Sequence, residues 1–316
     1  MDKSKIEPRV LELLEKLEQK FESMGQDLPS YLDGLLYSDY LTYWDYIHLD
    51  TLLSLQNPRT GFPDEKIFIM YHQITELYFN LVIHEIQQIQ ENKDLNKAWF
   101  LKRLKRVNRY FRHLIDSFDI MVDGMDQEQF LAFRMSLLPA SGFQSVQYRE
   151  IEIMSTDFRL LTKTHKYDDT SIPELFEDIY WRMGATELAS GKKTLTLRQF
   201  EEKYTDRLIK LGEEMCDINL YSLYREHFEG DEEVIEKLRE FDSLANVNWP
   251  LAHYKSAVRY LNQDPIIISA TGGTNWQKYL PPRFQKVSFY PELWSSTELE
   301  EWGKGWVIEA LESKHV

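Results

Sequence analysis

The sequence is short of cysteine, glycine and proline, and it has no long apolar run. Its 316 residues include one cysteine, 13 glycines and 11 prolines. A single cysteine excludes an intrachain disulfide and is typical of a reducing compartment. No stretch reaches the roughly 20 consecutive apolar residues that a membrane-spanning helix needs. Residues 1–15 are charged and lack the apolar segment of a secretory signal, so we expect a cytoplasmic protein that does not enter a membrane.

Basic residues are also in deficit. The chain has 37 lysines and arginines against 52 aspartates and glutamates, which gives a formal net charge of −15. An acidic surface repels phosphate backbones and anionic headgroups. Nucleic acid and anionic membranes are therefore not expected as partners.

Helical periodicity is what the sequence does contain. Apolar residues recur with helical spacing along most of the chain, and alternating strand-like segments are few, which predicts an all-α fold. We expect one helical-bundle domain over residues 41–316 with an N-terminal helical arm over residues 1–40. The predicted helices cover residues 6–24, 45–55, 66–91, 95–120, 127–136, 143–155, 173–183, 197–227, 232–260 and 298–311. Residues 25–41 are predicted as a looser segment, and Pro250 is predicted to interrupt its helix.

The clearest predicted helix carries a candidate catalytic histidine. Phe68, His72, Glu76 and Phe79 share one helical face. A histidine on such a face is also compatible with a satisfied core histidine. His72 and Glu76, with Glu85, could alternatively ligate a non-haem metal, although the Glu-x-x-His repeat of di-iron bundles has no second copy here.

A second candidate segment contains Phe130, Phe133 and Arg134, followed by Ser141 and Gly142. A buried arginine requires an anion, and its planar fork matches a carboxylate of a substrate or of a structural ion pair. Ser141 and Gly142 precede a predicted helix, whose free N–H groups can face a ligand.

Two further segments are uninformative when taken alone. His253 is a lone histidine in a predicted helix, which suits an axial haem ligand or a core position equally. Thr271 lies in a glycine loop, residues 270–275, that lacks the lysine of a phosphate-binding loop.

Taken together and in this order, these segments resemble the tryptophan 2,3-dioxygenase family. The matching stretches are residues 68–85, 133–134 with 141–149, 249–253 and 271–274, together with residues 43–50 near the N-terminus. The resemblance spans about residues 40–280.

The resemblance implies a homotetramer with one haem b per chain, ferrous for activity, that converts L-tryptophan and O₂ into N-formylkynurenine. It implies His253 as the axial iron ligand, His72 facing the indole N–H, and Ser141 and Gly142 beside the haem. The implied substrate contacts are Phe68, Phe130, Arg134 and Thr271, with Tyr43, Tyr46 and Ile47 from an adjacent chain.

Three features depart from the family pattern. Phe130 and Pro250 stand where the family usually has tyrosine and arginine, and the spacing of His253 and Thr271 is longer than expected. Two other functions are therefore kept: a related haem enzyme that oxidises another aromatic amino acid, and a non-catalytic helical ligand-binding protein.

Overall fold

The computed structural model describes residues 6–164, 170–185, 192–263, 266–267 and 286–302. The chain separates into two compact units, Met1–Leu55 and Gln56–Val316. Helices dominate both units, which confirms the all-α class. Within the described residues, none of the helices has the length and apolarity that crossing a membrane would require.

The first unit contains four helices and no fully buried side chain among its described residues. Its second helix corrects our expectation of a loose segment over residues 25–41. Asp27 caps that helix by accepting a hydrogen bond from the Ser30 N–H at 2.9 Å, and Pro29 suits its first turn. The helices are α1 (Pro8–Ser23), α2 (Leu28–Tyr37), α3 (Tyr43–Tyr46) and α4 (Leu49–Leu53).

The described part of the second unit contains the remaining helices. They are α5 (Asp64–Gln90), α6 (Lys97–Asp116), α7 (Asp119–Val122), α8 (Gln127–Phe133), α9 (Val146–Ser155), α10 (Ile172–Glu177), α11 (Leu195–Met215), α12 (Leu220–His227), α13 (Glu232–Ser243), α14 (Trp249–Leu261) and α15 (Ser296–Glu300). Short 3₁₀ helices cover Arg134–Leu137, Gly142–Gln144, Phe158–Leu161, Tyr180–Ala185 and Pro291–Leu293. An antiparallel pair of two-residue strands, β1 (Asn262–Gln263) and β2 (Ile266–Ile267), follows α14.

The core is built on α5 and α6. Asn96 caps α6 by accepting from the Trp99 N–H at 3.1 Å, and Asp64 and Glu65 place negative charge in the first turn of α5. Helix α5 packs along α6 and α9, while α13 packs on α6 and α11 packs on α9. The side chains of α6 that enter this core follow helical spacing and are Phe100, Leu101, Leu104, Val107, Phe111 and Leu114.

The helices predicted over residues 197–227 and 232–260 are among those that differ in detail from the structure. The helix predicted over residues 197–227 is divided into α11 and α12, because Asn219 caps a new helix by accepting from the Ser222 N–H at 2.9 Å. The α-helical pattern is interrupted near Pro250, as predicted, but the helix does not end there. Instead, a π-helical turn, Leu244–Asn248, joins α13 to α14 directly.

Candidate active site

The long helix α5 holds the first histidine with a defined proton position. The Nδ1 atom of His72 lies 2.7 Å from the carbonyl oxygen of Phe68, one turn earlier. A carbonyl oxygen only accepts, so Nδ1 carries the proton and Nε2 presents a lone pair. Burial lowers the pKa of His72, although the Phe68 carbonyl and the Glu76 carboxylate act in the opposite direction. The imidazole is therefore neutral at pH 7 and can accept a hydrogen bond through Nε2.

The second histidine, His253, lies in the second turn of α14. Burial, together with the neighbouring His72, lowers the pKa of His253 to about 4. The side chain nevertheless remains accessible to solvent. Both observations hold when a ring lines a concave surface, where protein surrounds it without covering it. His253 is thus a neutral imidazole that a ligand can reach.

Aromatic rings connect the two histidines. Tyr71 lies 5.9 Å from His72 and 5.4 Å from Phe118, measured between ring centroids. Phe118 lies 5.8 Å from His253 and 4.9 Å from Trp249. We call the surface formed by Phe68, His72, Phe118, Trp249 and His253 the histidine recess. Its walls suit a flat, apolar ligand with a polar edge.

Phe130 and Phe133 extend the aromatic wall beside Phe68. The Phe68 centroid lies 6.1 Å from that of Phe130 and 5.9 Å from that of Phe133. Phe130 also packs on Tyr260 at 4.6 Å. Because Phe130 carries no hydroxyl group, this part of the wall is apolar, unlike the tyrosine that the family pattern usually has there.

Arg134 follows this wall at the end of α8. The α-helix ends at Phe133 and continues as the 3₁₀ turn Arg134–Leu137, so the helix predicted over residues 127–136 changes type at the arginine. Only 5% of Arg134 is exposed, and burial lowers its pKa. A guanidinium remains charged under these conditions, and poor solvation strengthens its attraction for an anion.

Ser141 and Gly142 form a capped turn ahead of α9. The Ser141 N–H donates to Gln144 Oε1 at 3.3 Å, and the Ser141 hydroxyl accepts from the Phe143 N–H at 3.4 Å. A Cβ atom added to Gly142 would meet nothing within 4 Å, so open space lies beside this backbone. The turn is therefore rigid and open to a ligand on one side.

Comparisons with known proteins show the family of the chain. A family model described as tryptophan 2,3-dioxygenase matches residues 34–248. The chain belongs to the tryptophan 2,3-dioxygenase family. The matched region contains His72 and Arg134 and ends shortly before Pro250 and His253.

Individual members of the family match most of the chain. A tryptophan 2,3-dioxygenase of Ruegeria sp. (strain TM1040) is 29% identical over 276 residues, which is 82% of this chain and 92% of the relative. Those of Bacillus thuringiensis subsp. konkukian (strain 97-27) and Anaeromyxobacter dehalogenans (strain 2CP-C) are each 30% identical, over 279 and 270 residues. These matches cover 82% and 83% of this chain and 92% and 97% of the two relatives.

The resemblance to the tryptophan 2,3-dioxygenase family implicates four further residues. Tyr43 and Tyr46 belong to α3 of the first unit, each 71% exposed, and Ile47 follows them half-buried. Thr271 lies outside the described residues. The roles of these four residues remain predictions.

The alternative of a non-haem metal site has no support in the described residues. Nowhere in that part of the chain do three histidine, cysteine, aspartate or glutamate side chains come together as metal ligands would. Glu85 instead binds Arg103 and Arg106, each at 3.0 Å. The Glu76 carboxylate accepts from Gln147 Nε2 at 2.7 Å.

Sequence reasoning missed Phe118 and Tyr148 as neighbours of the site. Phe118 continues the buried spacing of Phe111 and Leu114, which predicts a core position but gives no sign of its contact with His253. Tyr148 lies within the segment that resembles the family, yet only the fold shows that its hydroxyl bonds the Ala245 carbonyl between α13 and α14.

Proposed function

We propose that the chain is a haem-dependent enzyme that inserts O₂ across the indole C2–C3 bond of L-tryptophan and forms N-formylkynurenine. The observation that carries this proposal is the pairing of His72 and His253, two neutral imidazoles on one aromatic recess. Family membership supports the same reaction, since every relative named above is a tryptophan 2,3-dioxygenase.

The described residues fit a haem group. His253 is neutral and accessible, as an axial nitrogen ligand must be. The neighbouring rings of Phe118 and Trp249 give the ligand apolar walls, and Gly142 leaves open space in which a flat ring can approach the backbone. Haem b, ferrous for activity, would supply the oxygen chemistry, with His253 as its ligand and Ser141 and Gly142 on its substrate side.

The protein's own contribution is to bind and orient the amino acid. Phe68 would pack against the indole, and His72 Nε2 would accept a hydrogen bond from the indole N–H. This contact needs no proton transfer, because the indole N–H is a very weak acid. Arg134 would bind the carboxylate through two parallel hydrogen bonds, and Thr271 would accept from the ammonium group. Holding C2–C3 in one place accounts for much of the rate.

We also propose a homotetramer in which Tyr43, Tyr46 and Ile47 reach the site of a neighbouring copy. The exposure of both tyrosines supports this assembly, since large aromatic side chains of this kind are enriched where proteins meet. A single cysteine agrees with a cytoplasmic enzyme.

The test is an aerobic assay of the haem-reconstituted, reduced protein with L-tryptophan, following the absorbance of N-formylkynurenine. We expect one haem per chain and product formation, whereas His253→Ala keeps its helical circular dichroism but loses the Soret band. Haem binding without product, followed by turnover of tyrosine or hydroxytryptophan, would refute tryptophan as the substrate. Normal haem content in His253→Ala would refute the axial ligand.

A further inference from the structure

The helix that carries His253 begins with an irregular hydrogen-bond pattern. Pro250 has no N–H, and in an α-helix its ring collides with the carbonyl of the residue four positions earlier. The chain accommodates the proline through the π turn Leu244–Asn248, in which the Trp249 N–H donates to the Leu244 carbonyl, five residues back. The direction in which α14 leaves α13 is thus set at this turn.

This pattern deprives one buried carbonyl of its backbone donor. In an α-helix the Ala245 carbonyl would accept from residue 249, but that N–H is bonded to Leu244. In the π register it would accept from residue 250, which is the proline. Ala245 is fully buried, so bulk water does not reach it. A buried carbonyl without a donor destabilises the folded chain.

A side chain from another helix supplies the donor. The Tyr148 hydroxyl of α9 donates to the Ala245 carbonyl oxygen at 3.0 Å. Burial raises the pKa of Tyr148 far above its ordinary value, so the hydroxyl stays protonated and able to donate. The Tyr148 ring packs on Phe79 of α5 at 5.5 Å, and Phe79 packs edge-on against Trp249 at 5.8 Å. Tyr148 therefore joins the helix of His72 to the start of the helix of His253.

We propose that Tyr148 is a positioning residue whose hydroxyl replaces the hydrogen bond that Pro250 cannot donate, and so fixes the direction of α14 and the place of His253. The effect on the π turn follows from the protein chain alone. The effect on haem rests on the proposed function, in which His253 is the ligand.

The experiment is a double-mutant cycle in the full-length chain. Tyr148→Phe removes the hydroxyl and keeps the ring, while Pro250→Ala returns an N–H that can serve the Ala245 carbonyl. Tyr224→Phe is the matched control, because the Tyr224 hydroxyl also bonds the main chain, accepting from the Gly230 N–H at 3.2 Å, and takes no part in the π turn. Urea unfolding without haem gives the first readout, and the rate of haem transfer to an excess of apomyoglobin gives the second.

We expect Tyr148→Phe to increase the unfolding equilibrium constant about fivefold or more, the ordinary worth of one hydrogen bond. In the Pro250→Ala background, Tyr148→Phe should change the unfolding equilibrium constant by less than about twofold, because the restored N–H then serves the Ala245 carbonyl. Tyr224→Phe should destabilise equally in both backgrounds. An equal effect of Tyr148→Phe in both backgrounds would overturn the replacement of the missing donor.

The rate of haem transfer distinguishes a residue that positions His253 from one that only stabilises the fold. Tyr148→Phe should accelerate haem transfer and shift the Soret maximum, whereas Tyr224→Phe should do neither. Equal transfer rates for the two variants would overturn the positioning role, and this comparison holds even if Pro250→Ala does not fold. A wild-type chain that takes up no haem would refute the proposed function, while the urea cycle would still decide the role of Tyr148 in the π turn.

Discussion

Replacing Arg134 should weaken the binding of the substrate carboxylate and leave the other contacts of the substrate unchanged. Arg134→Met removes the guanidinium and retains most of the apolar stem, which limits loss of packing at the end of α8. The variant should keep its haem and its helical content. L-tryptophan should bind much more weakly, because its carboxylate loses the proposed partner.

The magnitude follows from the environment of the guanidinium. Arg134 is 5% exposed and burial lowers its pKa, so solvent screens its charge poorly. Truncating one member of a buried, hydrogen-bonded charge pair costs about 2–5 kcal/mol. We expect the lower part of this range, about 2–3 kcal/mol or roughly 30- to 150-fold, because the nearby recess is open to solvent.

The assay compares two ligands on the haem-loaded enzyme. Spectroscopic titration with L-tryptophan and with tryptamine, which lacks the carboxylate, gives two dissociation constants for the wild type and for Arg134→Met. The dissociation constant for L-tryptophan should rise, whereas that for tryptamine should change by less than about threefold. Equal weakening of both ligands would show that Arg134 supports the fold of the site and does not bind the carboxylate.

Three further substitutions test separate parts of the structure. His72→Ala should lower turnover modestly and erase the preference for L-tryptophan over its N1-methyl analogue, since Nε2 no longer accepts from the indole; an unchanged ratio of kcat/KM would count against the contact. Glu85→Gln should lower the free energy of unfolding in urea by about 3–5 kcal/mol by leaving Arg103 as an uncompensated buried charge, with ligand binding unaffected. Burial raises the pKa of Glu65, but hydrogen bonds from Thr60 and from the Arg59 N–H lower it more. The Tm of the wild type should therefore decrease as the pH falls below about 4.5 and this carboxylate is protonated. The Tm of Glu65→Gln should decrease less over the same pH range.

Much of the fold was predictable because it depends on local periodicity. Helices α5 and α6 were predicted within a few residues of their observed ends, since their apolar residues keep helical spacing over five turns or more. Helix α2 was missed, because Pro29 and Gly34 resemble loop residues unless the Asp27 cap is taken into account. The π turn was missed because proline at position 250 predicts a break, and only packing shows how the chain avoids one.

The sequence predicts which residues form the candidate site, but it does not predict how they are arranged. His72 and Arg134 were found because the sequence around them resembles a family. Their surroundings depend on contacts between distant segments: Phe118 reaches His253 across 135 positions, and Tyr148 reaches Ala245 across 97. Neither separation leaves a local pattern, so the neutral state of His253 could be read only from the folded chain.

Two sets of hydrogen bonds hold the turn before His253, a residue whose position matters under the proposed function. Tyr148 serves the Ala245 carbonyl from α9. On the other side, the buried carboxylate of Asp242 accepts from Asn246 Nδ2 at 2.7 Å, and also from Ser288 Oγ and Trp294 Nε1 at 2.7 and 2.9 Å. A π turn costs regular hydrogen bonds, yet proline fixes φ and leaves the turn few alternative conformations. The direction of α14 therefore depends on residues of α9 and of the segment after residue 286. Substitutions at these residues should shift the position of His253, although they do not contact it.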